Sequence, residues 1–287
     1  MLLFAISGHE RRRIDDPLDS LSRMTPEAIC SRLLYRDGLI LVIDKPAGLP
    51  VHRGPKGGET LDLAFPHLRF GLPRDPALGH RLDRDTSGCL VLGRHRKALE
   101  KLMLLFKQGK IDKTYWALVR GGPSEDEGLI DLPLGRLDDT RGWWMKVDPK
   151  GQPSQTRWRV LGRGQDAAGE AIAWLALKPL TGRTHQLRVH CAALDFPILG
   201  DPIYGGACAP GEVLQLHARA ITIPLSKNKE PVEVEAPAPD HMQALLGACG
   251  WNAAMDAPAL AAQEAQQARG RLQENETGAS GANEGEA

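Results

Sequence analysis

Short apolar runs of strand type and amphipathic helices follow one another in this chain without a regular βαβ alternation, and that order constrains the fold most. Thr25 is placed to cap a helix with Pro26 at its first position, expected to run to about Leu34. Leu39–Ile43 is a continuous apolar strand closed by the turn Lys45-Pro46-Ala47-Gly48, and Cys89–Leu92 is another. From Arg96 to Lys107 the spacing of Leu99, Leu102, Met103 and Phe106 lays out one apolar helix face. Thr114–Val119, Ala171–Leu177 and Leu214–Ile223 read as strands, the last stopped by Pro224. His185–Leu194 reads as a helix entered through a Gly-Arg-Thr turn. The expected class is α+β, with a mixed, largely antiparallel central sheet flanked by helices.

Composition narrows the setting. The 287 residues are 42% hydrophobic, enough for a sizeable core. No run approaches the roughly 20 apolar residues of a membrane span, and Met1–Ile6 is too short for a signal peptide. Five dispersed cysteines without a CxxC pair suit a reducing compartment, which leads to the expectation of a cytoplasmic protein without a disulfide framework or zinc site. Net charge is zero but uneven. The segment from Asn252 carries six acids and two bases, whereas His80–Arg120 carries ten Lys/Arg and four acids. That distribution permits a phosphate-binding face, and a solvated helix face with lysines fits it equally well. Residues 1–32 are expected to be an arm and the start of a short helix, 33–250 one domain, and 251–287 an Ala/Gln/Glu-rich tail without fixed structure. Within that tail, Ala259–Arg269 has the composition of a solvent-exposed helix.

Three segments carry more polar punctuation than folding requires. His80-Arg81-Leu82-Asp83-Arg84-Asp85-Thr86-Ser87-Gly88 crowds charges of both signs into a loop before a strand. A surface turn with local ion pairs would look the same, and the residues alone do not choose between Asp83 and Asp85 as a chemical group. Leu180–Arg188 runs from a loop into a helix N-terminus, where free N–H groups can take an anion or simply be capped. Leu39–Gly48 reads mostly as a strand and tight turn.

Together these segments resemble one family. HRLDRDTSG, preceded by LVIDKPAGLPVHRG and followed by KTYWALVRG and LKPLTGRTHQLRVHCAALDFPILGDPIYG, is similar to the RluA-type pseudouridine synthases, over roughly Leu33 to Pro239. The resemblance selects Asp83, the aspartate of His-Arg-Leu-Asp, as the catalytic group. It implies that Arg183 pairs with Asp83 and that Tyr115 stacks on the target uracil, its hydroxyl available for a late deprotonation at C5. Leu216 would form the opposite apolar wall, and Arg81 would occupy the space left by a flipped-out base. Lys97, Lys101, Lys107, Lys110, Lys113 and Arg188 are the candidates for phosphate contacts, which position RNA without reading sequence. The family often carries an N-terminal S4 RNA-binding domain, for which about 32 residues before Leu33 are too few, so the resemblance is to the short form.

The chemistry implied is isomerisation of uridine to pseudouridine in a structured RNA, either ribosomal RNA or tRNA. It breaks the N1–C1′ bond, turns the base and joins C5 to C1′, with no net redox change. No cofactor or metal is expected, and the chain has neither a GxxxxGK loop nor a GxGxxG before a helix. What is needed is a placed carboxylate, to attack or to remove a proton, and a pocket that retains the base. A nucleoside hydrolase also works at C1′ with carboxylates but needs a second acid and an organised water. A non-catalytic RNA-binding protein is the rival from another class. No membrane or obligate protein partner is expected, and the chain is expected to act as a monomer.

Overall fold

The computed structural model describes residues 24–53, 58–138, 143–206, 208 and 211–266. Ten strands form one sheet in the order β1-β2-β4-β11-β5-β10-β9-β6, with β12 on β11 and β3 on β4. They are β1 (Leu33–Arg36), β2 (Ile40–Lys45), β3 (Ala77–Leu78), β4 (Ser87–Gly93), β5 (Asp112–Arg120), β6 (Glu127–Asp131), β9 (Gln155–Gln165), β10 (Ala171–Pro179), β11 (Leu216–Ile223) and β12 (Val232–Glu235). β7 (Leu134–Arg136) and β8 (Met145–Val147) form a separate hairpin. Among the described strands only β4 and β11 run parallel, pairing Ser87 with His217 and Gly88 with Ala218. The α+β class and the mixed, mostly antiparallel sheet are therefore as the sequence implied.

Helices α1 (Pro26–Ser31), α2 (Arg96–Lys107), α3 (Gln186–Ala193) and α4 (Asp240–Ala248) pack on the sheet, which buries apolar residues on both faces. The Thr25 hydroxyl accepts from the Ala28 N–H, as a capping threonine should. α1 ends at Ser31, however, and not at Leu34. Leu33 and Leu34 fall into different core clusters, which is the two-residue period of a strand and explains why β1 begins there. α2 buries Ala98, Leu102 and Leu105, with Phe106 half-buried, while Met103 stays 58% exposed. Its inward face is thus rotated from the one expected.

The segment after residue 250 corrects a second expectation. Ala253–Asp256 forms a 3-10 turn, and a fifth helix, α5, covers 257–266. α5 is not solvent-exposed all round. Ala259 and Gln266 are buried, and the Gln263 and Gln266 side-chain amides donate to the carbonyls of Ser31 and Arg36. Asp256 is buried as well, accepting from Arg219 and from the Ala238 N–H. These residues are anchored by polar contacts, which an apolar periodicity cannot reveal. The arginines of the N-terminal arm and residues 267–287 lie outside the described residues.

Candidate active site

The loop of residues 79–86 leads into β4 at the point where β4 meets β11. Gly88 has φ 102°, and a Cβ there would meet the Ala218 carbonyl oxygen at 2.3 Å, so the chain can pass only as glycine. Under the loop lies Lys45, fully buried at the end of β2. Its ammonium donates to the carbonyls of Pro46 (2.8 Å), Arg84 (2.8 Å) and Thr86 (2.9 Å), using its three hydrogens on the backbone that flanks Asp83. Burial pushes Lys45 down to about 7, against the pull of Asp85, Asp83 and Asp44. His80 packs on Phe106 and accepts from the Val91 N–H, and burial pushes it down to about 3.

Asp83 opens into a cavity of about 870 Å³ lined by four parts of the chain: the loop 79–86, the end of α2 with the start of β5, residues 179–188, and Leu216 on β11. The third part is held by Gln186. Its side-chain oxygen accepts from the Arg183 N–H and the Thr181 hydroxyl, and its amide donates to the Gln155 carbonyl and Thr156 hydroxyl. Fixed in this way, α3 turns Arg188 inward. Arg188 is 3% exposed and donates through Nε and Nη2 to Asp201 at 2.7 and 2.6 Å, while its Nη1 lies 3.9 Å from the Oδ2 of Asp83. Burial works against the charge of Arg188, but the hydrogen bonds and charge of Asp201, with Asp83 beyond, more than offset it and raise its pKa. Burial likewise disfavours an ionised Asp201, and Arg188 outweighs it and lowers that pKa. Both partners give the same sign: a charged, bidentate pair.

This corrects two assignments made from sequence. Arg188, expected to grip a phosphate, is buried and committed to Asp201. Arg183, expected to pair with Asp83, lines the cavity half-buried and donates through Nε to the Pro153 carbonyl at 3.2 Å. The reason is helical geometry: Arg183 lies in the turn before α3, whereas Arg188 sits in its first turn on the face toward the sheet.

The other expected residues separate into those that line the cavity and those that do not. Tyr115, on β5, and Leu216, on β11, both line it, the latter buried. Burial and then the charge of Asp83 push the Tyr115 hydroxyl up, so it stays a neutral phenol, suited to stacking rather than to removing a proton. Arg81 is exposed on the lining, and Lys107 and Lys113 also reach it. Lys97, Lys101 and Lys110 are exposed elsewhere, outside the lining. Asp85 is ion-paired with Arg84 at 2.9 Å and does not line the cavity. Sequence reading missed Lys45, Asp201, His185 and Tyr204. All four lie inside the quoted motifs, so the signal was their company with Asp83.

Residues 39–193 match the family described as RNA pseudouridylate synthase. The chain belongs to the RNA pseudouridine synthases. An RNA pseudouridine synthase of Zymomonas mobilis is 42% identical to it, over 74% of this chain and 95% of that protein. The ribosomal large subunit pseudouridine synthase C of Vibrio cholerae is 32% identical, over 80% of this chain and 72% of its own length. Among solved structures, human RNA pseudouridylate synthase domain containing 1 aligns with a TM-score of 0.61 at 32% identity, covering 74% of this chain and 84% of that one. As a pseudouridine synthase the chain is an isomerase that acts on RNA. Among its described residues no helix is long and apolar enough to cross a membrane.

Proposed function

We propose that this synthase isomerises a uridine of ribosomal RNA, with Asp83 as the group that attacks or deprotonates the ribose. The observation that carries this reading is the position of Asp83, 23% exposed on a cavity wall, with the buried Arg188 cation 3.9 Å behind it. The cavity has room for a nucleotide, and Tyr115 and Leu216 offer apolar surface to a uracil that has left its stack. Unpairing that base costs a few kcal/mol. Arg81 offsets it by filling the vacated space, and Lys107 and Lys113 on the cavity lining take flanking phosphates. The name of the Vibrio cholerae relative supports the large ribosomal subunit as the source of the RNA. A tRNA is the second reading, since RNA contacts of this kind recognise shape and loop context. The protein acts without a metal or cofactor, as a monomer, and in the cytoplasm.

Two experiments test this. Pseudouridine mapping in total RNA, with and without the gene, should reveal one or a few lost positions in ribosomal RNA. Loss confined to tRNA would overturn the substrate, and no loss would overturn the activity. Asp83→Asn should be inactive while Asp85→Asn retains activity, and an active Asp83→Asn would remove Asp83 from the mechanism.

A further inference from the structure

His185 is the residue this mechanism leaves unused. It precedes α3 with φ 52°, a left-handed conformation uncommon outside glycine, although Asn, Asp and His adopt it more often than other residues. It does not cap the helix; its ring turns into the site, 7% exposed. Its Nδ1 lies 2.9 Å from the Tyr204 hydroxyl, and its Nε2 lies 3.8 Å from the Oδ2 of Asp83. The Tyr204 oxygen already accepts from the Met145 N–H at 2.9 Å, so its own hydrogen is free to go to Nδ1. The hydrogen of a neutral imidazole is then on Nε2, facing Asp83. Trp143 and Tyr204 close over the ring edge-on, with centroids at 5.2 and 5.6 Å.

Arg188 Nη1 and His185 Nε2 make their nearest approach to the same oxygen of Asp83, Oδ2. We infer that His185 is a positioning residue: a neutral donor, its tautomer set by Tyr204, that with Arg188 holds Oδ2 of Asp83 and leaves Oδ1 to react. The inference rests on Asp83 being the reacting group. At 3.8 Å the contact is longer than a hydrogen bond, and it shortens when a bound nucleotide closes the site, as contacts in empty active sites commonly do. A strained backbone at a functional side chain has the same explanation, since the fold spends conformational energy to aim the ring. The charged groups around the imidazole are Asp83 from the loop, Arg188 from α3, and Asp201 and Arg81. Burial lowers the pKa of His185 against the pull of Asp83, in keeping with a neutral ring.

The test is single-turnover kinetics at saturating RNA, with RNA affinity measured in parallel. His185→Leu should slow the step by about ten- to a hundredfold, the effect of one hydrogen bond to a charged group, with affinity unchanged. His185→Gln, which keeps an N–H donor, should recover part of that loss. Tyr204→Phe frees Nδ1 to take a proton, and its rate should acquire a titration step that the wild type lacks. Full-rate chemistry in His185→Leu would overturn the inference, as would equal losses in the Leu and Gln variants. A wild-type pH profile in Tyr204→Phe would overturn the tautomer assignment. Wild-type protein that forms no pseudouridine, or an active Asp83→Asn, would instead reject the reading on which the inference rests.

Discussion

Two buried arginines each hold a different part of this molecule, and they differ in what is left over once their hydrogen bonds are counted. Arg219, on β11, donates to the Ala236 carbonyl, to Asp256 and to Glu235, and its guanidinium lies over the Trp116 ring at 4.2 Å. Arg188 makes two bonds to Asp201 and has its remaining nitrogen at the cavity, facing Asp83. The first arrangement is closed and fastens the C-terminal segment to the sheet. The second is open toward substrate. Burial and a carboxylate partner are common to both, so neither property marks a functional arginine. A donor directed into a cavity at a second carboxylate does.

The comparison breaks first at Asp83. Asp83→Asn should abolish pseudouridine formation with little change in stability, because the amide keeps the shape but is neither nucleophilic nor basic. Liquid-chromatography nucleoside analysis and a thermal melt check both halves. On the closed side, Asp256→Ala should cost about 3–5 kcal/mol, the usual penalty for leaving a buried charge without its partner. Its activity per folded molecule should be unchanged, measured at a temperature where the variant is folded. Removing residues 256–287 should destabilise the fold at least as much, since it takes away Asp256 and α5 together.

A smaller effect comes from pH. Burial pushes His80 and His217 down to about 3 each. Their folded pKa values lie below the unfolded value of about 6.5, so the unfolded chain binds more protons between these limits. The stability they contribute is complete above pH 6.5 and is lost as pH falls toward 3, at up to about 1.4 kcal/mol per pH unit for each histidine. Denaturant melts at pH 7.5, 6 and 5 should show this fall, and a flat profile would mean that both rings take up protons in the folded state as they do in the unfolded chain.

Much of this was legible in the sequence, and the part that was not has a physical cause. Apolar runs placed β2, β4, β5, β10 and β11, and a cap and a stripe placed α1 and α2. β9 was missed although Thr156 and Trp158 alternate inward, because Arg157 and Arg159 on its other face dilute the apolar signal and a bulge between Val160 and Gly162 breaks the two-residue period. Asp83, Tyr115 and Leu216, three of the residues named from the resemblance, line one cavity. What linear order could not settle was which of two arginines five residues apart turns inward, because one lies in a turn and the other on a helix. Lys45 escaped for a related reason. Its partners are backbone carbonyls, which leave no trace in side-chain identity.

That choice between two arginines is also the central claim, and one measurement addresses it: single-turnover rates at saturating RNA for Arg188→Lys and Arg183→Met. Arg188→Lys keeps a charge but loses the planar fork that binds Asp201 and faces Asp83. Its rate should fall by about ten- to a hundredfold, the scale of a lost charge-assisted hydrogen bond. Arg183→Met should stay within about threefold of wild type at saturation, any deficit appearing as weaker, less salt-sensitive RNA binding. The reverse order, a near-normal Arg188→Lys and a disabled Arg183→Met, would contradict the account.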